Sequence, residues 1–367
     1  MNETRSVETR SEAPLRMGVI GIGWAGQQHL EALSARADVE VVALAGMEAE
    51  LLGQLADKHG VASRYERWED LLDSAQIDAV VVAVPTALHA PIAIAALERG
   101  LHVLCEKPIA ESAERAEAMV AAARKAGRVL EIAFNHRRRG DIEMLKGVVD
   151  RGELGRIYYA KAWWLRRSGI PQPGSWFTRK ESAGGGPLVD IGIHVLDFAL
   201  HLMGEPAVTA ANATTFAEFG PRGRGGEPSG ATDFVFDVED FATALLRLEK
   251  DAALTIETSW AGYRAKADEI GVTLYGTEGG AELVITGYKP VGRLRVFKDD
   301  VGPEKETELT AEPGRGHAAV AETFVATVLA GPDAWPAYDG SLALSRARII
   351  DACYESARTA QQVEVSA

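Results

Sequence analysis

The sequence predicts an α/β chain of two domains: a doubly wound parallel sheet, then an α+β domain with a largely antiparallel open sheet. Three observations carry that prediction. An apolar run at 15–20 leads directly into Gly21-Ile22-Gly23-Trp24-Ala25-Gly26 and a helical pattern from Gln27 onward. Strand-like and helix-like segments then alternate as far as Phe134, the signature of parallel strands joined by helical crossovers. Past about residue 136 the alternation gives way to strand-like stretches separated by turns. The chain has 367 residues, which is long for one domain. The expected division is a tail at 1–14, a first domain at 15–135 and a second at 136–367.

The elements follow in order. Strands are expected at 15–20, 39–46, 78–84, 101–105 and 129–134, with helices from 27 and at 48–59, 68–73, 88–99 and 111–125. Gly100 stops the fourth of these helices in the usual way. In the second half a helix is expected at 141–150 and an aromatic-edged strand at 156–166. A Gly, Pro and aromatic-rich loop spans 167–183, and a helix follows the glycines at 184–186. Further strands are expected at 208–219, 233–236, 241–248, 252–260, 269–275 and 293–298, with a hairpin turn at Glu249-Lys250-Asp251. A Gly/Arg/Pro loop at 220–230 reads as mobile, and helices at 317–329 and 341–359 close the chain.

Composition narrows the class. Apolar content of 47% and charged content of 25% are ordinary for a globular protein with a core of normal size. A formal net charge of −14 argues against a nucleic-acid binder or an anionic-membrane binder. No apolar run approaches the roughly 20 residues of a membrane span. The first 14 residues are polar and lack an apolar signal core, so they read as a flexible tail. Cys105 and Cys353 have neither metal-type nor redox-type spacing, which is the pattern of a cytoplasmic protein with two free thiols.

The glycine run is G-x-G-x-x-G after a strand and before a helix, the fingerprint of a Rossmann dinucleotide site. Gly21 permits the tight turn, Gly23 lets a pyrophosphate approach the backbone, and Gly26 packs the helix close to the strand. The free N–H groups of the helix start then face the phosphates. An acid for the adenosine ribose is expected about 20 residues further on. That place holds Gly46, followed by Met47 and Glu48. Glu48 suits either the ribose or the first turn of a helix. No Lys or Arg lies between Ala37 and Asp57 to meet a 2′-phosphate, so NAD is favoured and NADP is not excluded.

Ligands of such sheets bind beyond the carboxyl ends of the strands. This draws attention to Pro85-Thr86, Glu106-Lys107-Pro108 and Asn135-His136-Arg137. The Lys107 ammonium, held before a proline at a strand end, can polarise a hydroxyl and stabilise a developing alkoxide. Read as one helix, 184–198 puts Asp190 and His194 four apart on one face. A carboxylate there fixes the tautomer of the imidazole and raises its basicity for proton transfer. Asp190, His194, Asp197 and His201 have zinc-ligand chemistry but no HExxH and no cysteine beside them, so no metal is assigned.

In order and spacing, GIGWAG, VPTALHA, CEKP, FNHRR and GGGPLVDIGIHVLD resemble the glucose–fructose oxidoreductase / inositol dehydrogenase / MocA family. The similarity continues through LYGTEGG and DGSLALSRARIIDACYESA. It implies a catalytic set of Lys107, Asp190 and His194. His194 would take the proton from a substrate hydroxyl, Lys107 would orient that hydroxyl, and Asp190 would assist. It implies cofactor contacts from Gly21, Ile22, Gly23, Trp24, Ala25, Gly46, Met47, Val84, Pro85, Thr86, His89, Glu106, Lys107 and Asn135. Substrate would meet Asn135 and His136, with Asp197 a possible addition to the site, and Trp163, Trp164, Arg166, Trp176 and Arg179 fall in segments able to line the pocket. The implied activity is reversible NAD(P)-dependent oxidation of a secondary hydroxyl of a sugar, glycoside or cyclitol to a ketone, in a homodimer or homotetramer built on the second sheet. Two alternatives remain: a glycoside-cleaving enzyme that oxidises its sugar only transiently, and a cofactor-binding protein without turnover.

Overall fold

The computed structural model describes residues 13–172, 174–226, 234–299 and 306–366. The expected tail therefore lies, but for its last two residues, outside the described residues. The first sheet has six parallel strands: β1 (Leu15–Ile20), β2 (Val39–Ala45), β3 (Ser63–Tyr65), β4 (Ala79–Val82), β5 (His102–Cys105) and β6 (Leu130–Ile132). Their order is β3-β2-β1-β4-β5-β6. The crossovers carry α1 (Trp24–Ser34), α2 (Ala49–His59), α3 (Trp68–Ser74), α4 (His89–Glu98) and α5 (Ala113–Ala126). The continuous apolar runs of β4 and β5 are buried at every position, as a strand covered by helices on both faces requires. β3 was not anticipated: it is three residues long with none buried, so no apolar run marks it. The strand order reverses at β1, between β2 and β4, and this opens a crevice at the carboxyl ends.

The second sheet has nine strands: β7 (Ile157–Arg166), β8 (Val208–Phe216), β9 (Phe241–Leu248), β10 (Ala252–Ser259), β11 (Asp268–Gly276), β12 (Gly280–Thr286), β13 (Arg293–Phe297), β14 (Glu306–Leu309) and β15 (Val363–Glu364). They run in the order β14-β13-β12-β11-β7-β10-β9-β8-β15, and every pair is antiparallel except β7 with β10. The turn between β9 and β10 contains Lys250 and Asp251, both at positive φ, which matches the twist of a tight hairpin. The strand expected at 233–236 is not present: Asp233 is outside the described residues, and 234–236 is irregular. Of the loop expected at 220–230, residues 220–226 form a short helical turn and bends, and the remainder is outside the described residues.

The second-half helices are α6 (Gly140–Asp150), α7 (Lys180–Ala183), α8 (Pro187–Asp190), α9 (Gly192–Leu202), α10 (Gly316–Ala330) and α11 (Ser341–Thr359). Every residue of α9 except His201 is buried, so this helix, apolar on nearly all sides, is enclosed rather than surface-lying. It packs on β7, β10 and β11. α10 returns to pack on α1, and α11 packs on α5 and β8. The stretch expected as one helix over 184–198 is broken at Ile191, and the segment Lys180–Asp190 meets Gly192–Leu202 at 46°. At the break, the Asp190 carbonyl accepts a hydrogen bond from the Lys107 ammonium at 3.0 Å. Gly184 adopts φ +85°, and a Cβ there would stand 2.7 Å from the Glu111 carbonyl oxygen, so this is where the second half of the chain closes on the first. Both cysteines are free and buried.

Candidate active site

A cleft of about 820 Å³ runs from the glycine loop across the carboxyl ends of β1, β4 and β5 to the start of α9. One end is a backbone cradle. Gly23 precedes α1 with no side-chain cap, and a Cβ at Gly23 would stand in open space, so the first N–H groups of the helix are left to a phosphate. Ile22, Trp24 and Ala25 line the same end. At Gly46 a Cβ would meet Ile22 at 2.5 Å, which explains why no acid occupies that place. Met47, Glu48 and Glu66 line the cleft there instead, and no Lys or Arg does. Glu66 follows β3, the strand that sequence reasoning missed.

The other end carries the ionisable groups. Lys107 follows the buried β5, after Glu106. Its Nζ donates to the Asp190 carbonyl oxygen at 3.0 Å and to Asp190 Oδ1 at 3.2 Å. Two of the three ammonium donors are thereby used and one is left for a ligand oxygen. Asp190 Oδ2 accepts from the indole Nε1 of Trp260 at 3.0 Å, and Trp260 is fully buried just past β10. Asp190 therefore holds Lys107 and is itself held by Trp260. No hydrogen bond joins Asp190 to His194 among the described residues, which corrects the expectation of a carboxylate–imidazole pair: the helix break intervenes, and both carboxylate oxygens are engaged.

His194, in the first turn of α9, lies in the cleft wall with its Nδ1 buried and without a partner. Its ring centroid is 4.4 Å from that of His136 and 5.8 Å from that of Trp164, so the three rings form one wall. Burial, then the positive charge of Lys107, holds the His194 pKa well below the usual imidazole value. Burial, then the charges of Arg139 and Lys107, brings His136 down to about 3. Both rings are neutral at ordinary pH. Arg166 stacks on Trp164, with its guanidinium carbon 5.0 Å from the ring centroid, and donates to Asp268 Oδ2 at 3.1 Å and to the Tyr288 hydroxyl. Trp176 and Phe177, stacked at 3.8 Å, complete this end.

Glu106 lies between the two ends. Its Oε1 is 2.9 Å from His29 Nε2 and 3.3 Å from His317 Nε2, and its Oε2 accepts from the Lys107 backbone N–H at 3.1 Å. Burial would raise its pKa, but the hydrogen bonds from His29 and His317 outweigh that and hold it below the carboxylate range.

The cleft thus gathers Gly21, Ile22, Gly23, Trp24, Ala25, Gly46, Met47, Val84, Pro85, Thr86, Glu106, Lys107, Asn135, His136, Arg166, Trp176, Asp190 and His194. Four expectations are corrected. His89 does not line it: the ring is buried, with Nδ1 2.8 Å from the Pro108 carbonyl oxygen and Nε2 2.9 Å from that of Val84, and so ties together the two loops that do. Trp163 lies on the opposite face of β7, over Gly271, with Nε1 bonded to Glu269 at 3.2 Å. Strand alternation allows Trp164 and Arg166 to share the cleft face but not Trp163. Asp197 and His201 point to Arg137, and Asp197 also pairs with Arg346, away from the cleft. Arg179 does not reach the cleft either. Sequence reasoning missed His317, Tyr288 and Trp260, which arrive from distant elements without a local motif.

Comparison with known proteins agrees with this layout. Residues 15–134 match the family model described as an oxidoreductase family with an NAD-binding Rossmann fold, and residues 142–282 match the GFO/IDH/MocA C-terminal domain. The chain is 38% identical over 277 residues to D-glucoside 3-dehydrogenase of Escherichia coli (strain K12), covering 74% of this chain and 78% of that protein. It is 32% identical over 304 residues to levoglucosan dehydrogenase of Pseudarthrobacter phenanthrenivorans, covering 77% and 76%. Among solved structures, levoglucosan dehydrogenase in complex with NADH and levoglucosan superposes with a TM-score of 0.79 at 27% identity, over 96% of this chain and 100% of that one.

Proposed function

The chain belongs to the GFO/IDH/MocA family of oxidoreductases, and we propose that it oxidises a secondary hydroxyl of a sugar, glycoside or cyclitol to a ketone, reversibly, with NAD as acceptor. The single observation that carries the assignment of roles is the Lys107–Asp190–Trp260 chain facing His194 across a cleft that begins at a phosphate cradle. A bound nicotinamide would supply the acceptor for the hydride of the carbinol carbon.

The glycine loop and the start of α1 would hold the pyrophosphate, with open space at Gly23 for its approach. The residues Val84, Pro85 and Thr86 continue that wall. Lys107 directs its remaining N–H at the substrate oxygen and stabilises the alkoxide as it develops. Asp190 keeps the ammonium aimed. With Nδ1 enclosed, His194 takes the hydroxyl proton at Nε2, and its depressed basicity makes the imidazolium release that proton readily. Trp164 offers an apolar face to sugar C–H groups, and Arg166 is anchored beside it by Asp268.

The test is a parallel screen of sugars, glycosides and inositols with NAD and NADP, followed by reduced-cofactor absorbance. Stoichiometric NADH is expected. Cleavage of a glycoside without net NADH, or no turnover across the whole panel, contradicts the proposal.

The open face of the second sheet supports assembly into a dimer or tetramer. Phe216, Leu245 and Tyr275 are exposed there, and Tyr275 lies against Tyr159 with ring centroids 5.4 Å apart and the rings tilted. Light scattering that returned a monomer at micromolar concentration would remove this part of the proposal.

A further inference from the structure

Glu239 lies just before β9, is buried, and does not line the cleft. Its Oε2 accepts the Gly186 backbone N–H at 3.0 Å. Its Oε1 accepts the Leu188 backbone N–H and the Tyr354 hydroxyl, each at 3.0 Å. The two amides open α8, whose single turn offers them no acceptor of its own, and Tyr354 comes from α11. Burial raises the Glu239 pKa, and the bonds from Leu188 and Gly186 work against that rise. The glycines leave this backbone little slack. A Cβ at Gly185 would stand 1.9 Å from the Tyr354 hydroxyl oxygen, and one at Gly186 would stand 2.0 Å from the Glu239 carbonyl oxygen.

Because α8 is one turn long, what is fixed at its start is fixed at its end. The Gly186 carbonyl accepts the Asp190 N–H at 3.0 Å, and Asp190 closes the turn with its own carbonyl and carboxylate on Lys107. The next residue in the chain after Glu239 sets the other partner of that carboxylate. The Asp240 carbonyl accepts the Trp260 backbone N–H at 3.0 Å, and the Trp260 indole donates to Asp190. Asp240 is anchored in turn, its carboxylate accepting from the Phe219 and Gly220 N–H groups at 2.6 and 2.9 Å. Two adjacent residues outside the cleft thus reach Asp190 by two routes, one through its backbone and one through its carboxylate. We propose that Glu239 is a positioning residue for hydride transfer: it seats the Gly186–Leu188 backbone and, through that one turn, holds Asp190 where it aims Lys107. The inference rests on the role given to Lys107 above.

Glu239→Gln keeps the size of the side chain but turns an amide NH2 toward one of the two backbone N–H groups. Two readouts on the full chain test the inference. The first needs no substrate: the Trp260 indole proton resonance, identified by its loss in Trp260→Phe, reports the hydrogen bond to Asp190. It is expected to move upfield in Glu239→Gln, in the direction it takes in Asp190→Asn. The second is single-turnover NADH formation from a saturating sugar or glycoside that the wild type oxidises. The rate is expected to fall about tenfold, the weight of one hydrogen bond to a charged group, with NAD+ affinity unchanged. The fall is expected to vanish in the Asp190→Asn background. An unmoved resonance, or a rate that is unchanged or equally reduced in both backgrounds, overturns the inference and leaves the dehydrogenase reading standing. Should Glu239→Gln not fold, Tyr354→Phe, which removes one donor and keeps the carboxylate, is read in the same way, and an unmoved resonance or an unchanged rate there overturns the inference. Wild-type protein that forms no NADH across the whole substrate panel overturns the dehydrogenase reading itself, and the inference with it.

Discussion

Replacing Trp260 by Phe removes one N–H from the site and keeps an aromatic ring in the core. That N–H donates to Asp190 Oδ2 at 3.0 Å from a fully buried indole. Hydrogen bonds to charged groups contribute about 1.5–3 kcal/mol. The Asp190 side chain retains 17% exposure, so water can take up part of the lost interaction and the lower end applies. A loss of ~1.5 kcal/mol in the transition state corresponds to about a tenfold fall in kcat. The fold loses ~1–2 kcal/mol separately, from the volume removed in the core. The assay is steady-state kcat for Trp260→Phe in the wild-type and Asp190→Asn backgrounds, with a urea titration of each. A positioning role predicts that the kcat penalty vanishes when Asp190 has already lost its charge. A kcat within twofold of wild type, or an equal penalty in both backgrounds, refutes the reasoning.

Two further outcomes follow from the same geometry. His136, brought down to about 3 chiefly by burial, and His194, lowered for the same first reason, are neutral in the fold and bind protons on unfolding below about pH 6.5. The unfolded state then holds more protons, so stability falls as pH drops below about 6.5, by ~1.4 kcal/mol per pH unit for His136. Urea midpoints measured between about pH 7 and 5 should show a flatter slope in His136→Asn, and an unchanged slope contradicts the burial argument. Glu48 and Glu66 face the ribose end with no cation beside them in the cleft wall. The double change to Ala is expected to lower discrimination against NADP by about tenfold in kcat/KM, and an unaltered NAD to NADP ratio would place the selectivity elsewhere.

The parts of the site legible in the sequence are those in which neighbours in the chain are neighbours in space. The glycine loop, Glu106-Lys107-Pro108 and the Gly184 stretch each combine a backbone requirement with a side chain, and all three reach the cleft. The Asp190–His194 spacing was misleading because helix periodicity assumes an unbroken helix, and Ile191 breaks it. Trp163 was misassigned although alternation along β7 already sets it opposite Arg166. His89 looked like a ligand-facing residue, and its actual partners are two backbone carbonyls that no motif announces. Trp260 and His317 lie 70 residues from Asp190 and 182 from Asn135 respectively, so only tertiary packing reveals them. In the fold, most of the long buried strands were readable, whereas β3, β12, β14 and β15 were not: β3, β14 and β15 have two to four residues and none buried, and β12, though it alternates Ala281, Leu283 and Ile285 inward, follows β11 after a short glycine turn that masked it as a separate strand.

The central claim is that Lys107 and His194 carry the proton chemistry of hydride transfer in this cleft. The most direct measurement is single-turnover formation of NADH from a saturating sugar or glycoside, for wild type, Lys107→Met and His194→Asn, alongside NAD+ affinity for each. The account predicts a fall of about 10²–10⁴ in the rate of NADH formation for each variant, with NAD+ affinity retained. Full-rate NADH formation in either variant would contradict it.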